Sequence, residues 1–359
     1  MARPLELARS GESAVAAASA ASAPSPALMA RLAASDDPVL AYKARLLAGL
    51  ATDSDEATAL RGRIAASPMA RALLSGREPD GTIRTHPYKK WQGPHWTLVS
   101  LALIDYPPGD RSLQPMMDQV YRWLLARELP GRRTPVGQDS KARFCASQEG
   151  NAIWYSIHLG LDDERTAQLA RTLIRWRWAD GGWNCDDRAS AASASFQETA
   201  IPIRGLWAFG QRRGDAPALE AVAGASELLL TRRLLWRRRD GGLIRPDWGG
   251  RVDRIHFPVQ FYDVLFALQV MEEIRRIGDE RCTDALRLLE SKRLQDGGFP
   301  LEDGNATRAD HIVSRGSFAG WGPTGTRRCN PLVSLAAWRV LEARQASGLS
   351  APEVASTKL

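Results

Sequence analysis

One tripeptide constrains this chain more than any other feature. Asp-Gly-Gly occurs at Asp180, Asp240 and Asp296, 60 and 56 residues apart. Self-similarity at such a period marks a repeated supersecondary unit. A shorter form, Pro79-Asp80-Gly81, lies 100 residues before the first full copy. That gap leaves room for two units with a degenerate turn near LPGRRTPVG. Adjacent glycines supply the positive φ that ends a helix, and an Asp carboxylate accepts the backbone N–H groups freed there. Asp180, Asp240 and Asp296 therefore read as turn residues. Trp183 and Phe299, which follow the glycines, read as packing between units.

The segments between the turns alternate in character. In RCTDALRLLESKRL, Cys282, Ala285, Leu286 and Leu289 fall at i, i+3, i+4 and i+7, a single apolar stripe on a half-exposed helix. LQPMMDQVYRWLL repeats the pattern. PVQFYDVLFALQVM, TLVSLALI and LVSLAAW are apolar on nearly every side, as helices buried all round must be. Buried and half-exposed helices in alternation predict an inner ring inside an outer ring. Six spans each run from an outer helix to the next inner one: 26–49, 55–104, 113–159, 163–210, 216–275 and 279–345. The expected fold is all-α, an α/α toroid of about six inner and six outer helices, with no convincing strand run. It should occupy residues 26–345, with a low-complexity arm over 1–25 and a flexible tail over 346–359.

Composition narrows the function classes. The 359 residues are 44% hydrophobic and 25% charged, as in globular proteins that dissolve in water. The formal charge of +7 comes from arginines interleaved with acids. That reads as a solvated surface, or as a basic rim drawing in an anionic substrate. No basic block accompanies a nucleic-acid motif, so no nucleic-acid partner is expected. Four cysteines without a CxxC pair form no disulfide framework, and a reducing, cytoplasmic setting follows as the default. No apolar run approaches the roughly 18–20 residues of a spanning helix, which leaves peripheral membrane contact open. Composition does not set an oligomeric state.

The turns WADGGWNCDD and LQDGGFPLED, each between an outer and an inner helix, resemble the prenyltransferase and squalene-cyclase repeat. The middle copy, RRDGGLIRPDW, departs from it. SFQETAIPIRGLWAFG is similar to cyclase segments in which a polar-Thr-Ala sequence opens an inner helix. KWQGPHWTLVSLALIDYPPGD, CASQEGN, FPVQFYDVLFAL and CNPLVSLAAW resemble bacterial squalene-cyclase-like single-toroid proteins of mostly unassigned function. The likeness spans residues 35–345. It implies a toroid whose active site gathers at the loop-rich rim, and a small-molecule isoprenoid or other elongated apolar substrate held in a central cavity. It does not fix the reaction. Cyclases of this kind protonate their substrate with a DxDD motif. Here Asn184-Cys185-Asp186-Asp187 supplies two of the three acids, and Ser195-Phe196-Gln197-Glu198 supplies one carboxylate at a helix start. No intact DxDD or DDxxD exists.

The candidate catalytic residues are accordingly Asp186, Asp187, Asp263, Tyr262 and Glu198. Asp186 beside Asp187 can keep one carboxyl protonated, and an Asp inside FYDVLFAL is costly without a partner or a task. Asp263 reads equally as a helix cap. The candidate cavity residues are His95, Trp96, Glu149, Asn151, Trp154, Phe196, Trp207 and Phe261, whose aromatic members would stabilise a carbocation or simply fill the ring. No cofactor is required in that reading. The alternative is a zinc-dependent toroid, prenyltransferase-like or thiol-handling. Cys145 and Cys185 stand at loop-to-inner-helix junctions, as does His256. Protein prenyltransferases carry zinc at this rim, which makes these three the candidate metal ligands. Packing or capping is the bland reading of the same cysteines. A non-catalytic toroid that binds a lipid or a peptide is the third possibility.

Overall fold

The computed structural model of the chain describes residues 24–126, 142–188, 190–238, 240–244, 251–258, 261–304, 306–307, 311–312 and 316–348. Most of the N-terminal arm, most of the C-terminal tail and the LPGRRTPVG turn lie outside them. Thirteen α-helices appear among the described residues: α1 Pro26–Ala33, α2 Pro38–Leu47, α3 Asp55–Ile64, α4 Pro68–Leu74, α5 Pro94–Leu103, α6 Gln114–Leu125, α7 Ala146–His158, α8 Glu164–Arg175, α9 Phe196–Arg213, α10 Ala216–Leu230, α11 Val264–Glu273, α12 Thr283–Glu290 and α13 Pro331–Gly348.

The inner ring is α2, α5, α7, α9, α11 and α13. Neighbours in this ring pack in sequence from α5 through α13, and α13 packs on α2. Burial follows the expected alternation. Every residue of α5 from Pro94 to Ala102 is buried, as is every residue of α7 from Ala146 to Ser156. The outer helices bury one stripe each: Met116, Met117, Val120, Tyr121 and Leu124 in α6, and Ala285, Leu286 and Leu289 in α12. α1, α3, α6, α8, α10 and α12 make the outer layer, each against an inner neighbour. The chain is an all-α toroid. Two expectations need correction. The inner helix expected over PVQFYDVLFALQVM begins only at Val264, because Asp263 is its N-cap and its side chain accepts from Phe266 N–H at 2.9 Å. Short strands also occur: His256–Phe257 pairs in parallel with Asp303–Gly304, and Ala306–Thr307 with Gly316–Ser317.

The turn that carries the period is built alike in each copy. Gly181, Gly241 and Gly297 hold φ of +99°, +64° and +81°. The next glycine donates its N–H to the Asp carboxylate: Gly182 to Asp180, Gly242 to Asp240, Gly298 to Asp296. The carbonyl of that glycine accepts from the residue two before the Asp in the first and last copies, Trp178 and Leu294, and from the residue three before it in the middle copy, Arg237. Pro79-Asp80-Gly81 folds the same way, with Thr82 donating to Asp80 and Glu78 donating to the Thr82 carbonyl. Trp183 and Phe299 are fully buried, and their N–H groups meet hydroxyls on the next inner helix, Thr199 and Ser334. ADGGW is therefore structural punctuation.

All inner helices start at one rim. At the other end, charged side chains tie the ring together. Arg204 of α9 makes two 2.6 Å bonds to Glu273 at the end of α11, with its guanidinium 4.1 Å from the Trp154 ring centre. Arg339 of α13 pairs with Glu272 at 3.0 Å, and Lys43 of α2 pairs with Asp105 just past α5. Arg61 donates to the carbonyls of Asp105, Tyr106 and His158.

Candidate functional site

At the rim where the inner helices start, Cys145, Cys185 and Glu198 converge. One sulfur from each cysteine and one carboxylate oxygen lie within 4.8 Å of one another. Local sequence explains how three residues from two repeats meet. Asn184 closes an Asx turn, its Oδ1 accepting from Asp186 N–H at 2.9 Å, while its Nδ2 donates to the Ser193 carbonyl at 2.8 Å. Its own carbonyl accepts from Phe144 N–H at 3.1 Å. That bond sets the stretch before α7 beside the stretch after the DGG turn, so Cys145 faces Cys185. Cys145 is the N-cap of α7 and Ser195 the N-cap of α9. Glu198, in the first turn of α9, reaches across to the first turn of α7, where Ser147 N–H donates to Oε2 at 2.7 Å and Ser147 Oγ to Oε1 at 3.1 Å.

The reach depends on a close helix crossing. A Cβ on Gly150 of α7 would stand 2.7 Å from the backbone of Pro202 in α9, and one on Gly205 of α9 would meet the Gly150 carbonyl. Two glycines and a proline, which lacks an N–H, let the two backbones touch.

Glu198 is 6% exposed, and among the described residues no ion pair neutralises it. Burial raises its carboxyl to about 7, against the lowering effect of the Ser147 donors; the charge of Glu149 adds to the rise. Cys185 is raised well above the ordinary thiol value by its hydrogen bond to Cys145, by burial of the thiol and by the Glu198 charge. Cys185 is exposed at the surface, while Cys145 is half-buried. A buried acid and two thiols are thus reachable from outside.

The other sequence candidates disperse. Asp186 is held by Arg188 with hydrogen bonds down to 2.6 Å, which lower its carboxyl to about 2 and favour the ionised form. Asp187 is exposed. Asp263 is buried, accepts from Phe266 and His256 N–H groups, and burial lifts it to about 7; its geometry is that of a cap. Tyr262 donates to the Leu234 carbonyl at 3.0 Å. His256 lies against Phe261, ring centres 4.9 Å apart, and offers no atom to the Cys145–Cys185–Glu198 cluster. The atom that joins the two sulfurs within 4.8 Å comes from Glu198. Trp154 belongs to the charged end of the ring, between His158 and Arg204. His95 and Trp96 are buried near the rim, Asn151 is buried on α7, Phe196 touches Tyr262 at 5.3 Å, and Trp207 is half-buried.

Sequence reasoning missed Ser147, Gln148 and Tyr88. Tyr88 hydrogen-bonds Gln148 and is raised by burial and by the charges of Glu198, Cys145 and Cys185, which places it beside the cluster. Its ring begins an aromatic run: 5.3 Å to Trp96, then 4.5 Å to Trp91, then 6.4 Å to Phe261. A serine two residues past the start of CASQEGN was the available signal, since its N–H belongs to the unpaired first turn of a helix.

No family model matches the chain, and no curated protein does. Among solved structures it is similar to the unsaturated glucuronyl hydrolase of Bacillus sp. GL1, a protein responsible for the degradation of glycosaminoglycan. The match has a TM-score of 0.39 and 14% identity, and it covers 86% of this chain and 83% of that one.

Proposed function

We propose that this chain is a zinc-dependent enzyme of the α/α toroid architecture, with Cys145, Cys185 and Glu198 as the protein ligands. The convergence of two thiols and a carboxylate within 4.8 Å carries the reading. The donor set fits: two sulfurs on one tetrahedral zinc stand about 3.8 Å apart, given a Zn–S bond of about 2.3 Å. Three protein ligands leave a fourth position open, the hallmark of a catalytic rather than a structural site. A zinc ion held there supplies Lewis acidity toward a substrate oxygen, water or thiol.

The chain's own residues supply the rest. Ser147 fixes the orientation of the Glu198 carboxylate with two hydrogen bonds, as outer partners of metal ligands do. Glu149, one helical turn beyond Cys145 and fully buried, stands close enough to act on Glu198 electrostatically and is placed to take up a proton. The aromatic run from Tyr88 to Phe261 offers an apolar surface beside the site, which suits an isoprenoid or another elongated apolar substrate entering at the rim.

The measurement is the metal content of full-length protein purified without chelator. We expect about one zinc per chain, lost in Cys185→Ser and in Glu198→Gln, and retained in His256→Ala and Asp186→Asn. Wild-type protein that holds no zinc, and takes none up on titration, overturns the assignment.

A second reading rests on one observation, the placement of Glu198 as a buried carboxyl without an ion-pair partner among the described residues at the start of SFQETA. There Glu198 protonates a terpene-like substrate without a metal. Zinc content separates the two readings, since turnover by metal-free protein belongs to the second alone.

A further inference from the structure

The middle Asp-Gly-Gly repeat departs from the others before its turn as well as within it. Residues 232–239 read RRLLWRRR, five arginines in eight positions. The corresponding stretches before the first and last full turns, RWRWAD and SKRLQD, carry two basic residues each. A solvated surface needs no such concentration.

The backbone explains where these side chains go. Helix α10 ends at Leu230, and Arg233 and Leu234 then adopt positive φ of 47° and 63°. Two consecutive bulky residues in that region are rare and need the surrounding structure to hold them. Here burial holds Leu234, 0% exposed beside Leu235 at 2%, while Asp284 holds the exposed Arg233. Sinking those two leucines leaves Arg232, Arg233, Trp236, Arg237 and Arg238 lining one pocket. Together with Thr231 they enclose an open cavity of about 440 Å³.

The pocket is braced. Asp284, from the next outer helix, accepts from Arg233 at 2.7 Å and from the Trp236 indole at 3.0 Å. Asp240 of the turn pairs with Arg237 at 3.1 Å. Each carboxylate fixes a wall residue and cancels one charge. Arg232 and Arg238 have no carboxylate partner among the described residues. Four guanidinium groups against two carboxylates leave an uncompensated positive pocket with an indole in its wall.

We propose that this pocket binds a phosphate-class anion, a phosphate or diphosphate group. Guanidinium forks match phosphate oxygens two at a time, and an indole face accepts an apolar or planar remainder of the same ligand. The site lies on the outer layer of the ring and owes nothing to the Cys145–Cys185–Glu198 cluster, so each assignment stands or falls separately.

The shared chemistry has two sources, a soluble phosphate and a lipid headgroup, and two arms separate them. In the first, inorganic pyrophosphate is titrated into the full chain by calorimetry. Saturable binding should weaken by about tenfold or more in the Arg232→Gln/Arg238→Gln double variant. An Arg63→Gln/Arg71→Gln variant, which removes equal charge from the exposed α3–α4 surface, should bind as wild type does. In the second, co-sedimentation with phosphatidylcholine vesicles containing phosphatidic acid is compared with plain phosphatidylcholine. Binding of pyrophosphate assigns a soluble ligand. Binding of the acidic vesicles alone, lost in the Arg232/Arg238 variant, assigns a headgroup. Equal weakening by both variants, or wild-type protein that binds neither probe, overturns the proposal.

Discussion

Glu198 and Glu273 are glutamates on inner helices at opposite ends of the ring, the first buried and the second half-buried, and they are held in opposite ways. Glu273 faces Arg204 through two 2.6 Å bonds, and despite its burial the guanidinium draws its carboxyl below the ordinary range. Glu198 faces two hydrogen-bond donors of Ser147 and two thiols, with no cation in reach among the described residues, and burial drives its carboxyl up. A compensated buried charge is architecture: removing one partner is costly because it strands the other. An uncompensated buried acid costs stability in every metal-free molecule, and such groups gather at functional sites. The toroid thus closes one end with ion pairs and leaves the other end chemically poised.

The sharpest way to break this contrast is Arg204→Met. It leaves the half-buried Glu273 without its partner and removes the cation from the Trp154 face, so urea unfolding should show a loss of about 3–4 kcal/mol, at the low end for a buried pair. The Arg204→Met/Glu273→Leu double variant should recover most of it. A single variant no less stable than wild type would show that this end is not held by the pair.

A smaller effect, of opposite sign, is expected of Glu198→Gln in chelator-treated protein. The folded-state value of Glu198 lies above its unfolded one, so the folded form binds its proton more tightly between about pH 4.5 and pH 7. Wild-type stability should fall through that window, by on the order of 3 kcal/mol, and level off above it. Glu198→Gln should lack the slope and exceed wild type at pH 8. Glu273 behaves in reverse: its contribution is present above the ordinary carboxylate range and is lost as pH falls through its depressed value. Melting temperatures across pH for the two proteins check the sign; parallel curves would remove Glu198 from the account.

The smallest expected change in stability, about 1–3 kcal/mol, is that of Gly150→Ala. The added methyl meets the Pro202 backbone at 2.7 Å, and no flexible side chain can yield there. Parting α7 from α9 also lengthens the Glu198–Ser147 bonds, so zinc occupancy should drop more steeply than stability. Unchanged zinc content at unchanged stability would show that the crossing does not position the site.

Much of the fold is legible in the chain itself. The three DGG copies and the PDG copy fold alike because the turn is local: a carboxylate and a positive-φ glycine within four residues decide it. The inner and outer helices are legible because burial on one side or on all sides leaves a period of 3.6. The break in repeat symmetry at NCDD pointed to Cys185, and the loop-to-helix junctions pointed to Cys145. The acids at 186 and 187 stand outside the group formed by the two thiols and Glu198. Asp186 has its own cation two residues away in Arg188, and a neutral acid needs burial that this loop does not provide.

What the sequence determined by itself is the ring, its turns and two of the three residues that meet at the rim. Tertiary structure alone decided the third. His256 and Glu198 both stand near the start of an inner helix, and nothing local ranks one above the other. The choice is made by the contact of α7 with α9 at Gly150 and Pro202, which brings the Glu198 carboxylate onto the first turn of α7 beside Cys145. Such a contact joins residues about fifty positions apart, and backbone distance across a helix crossing leaves no periodic trace in the chain.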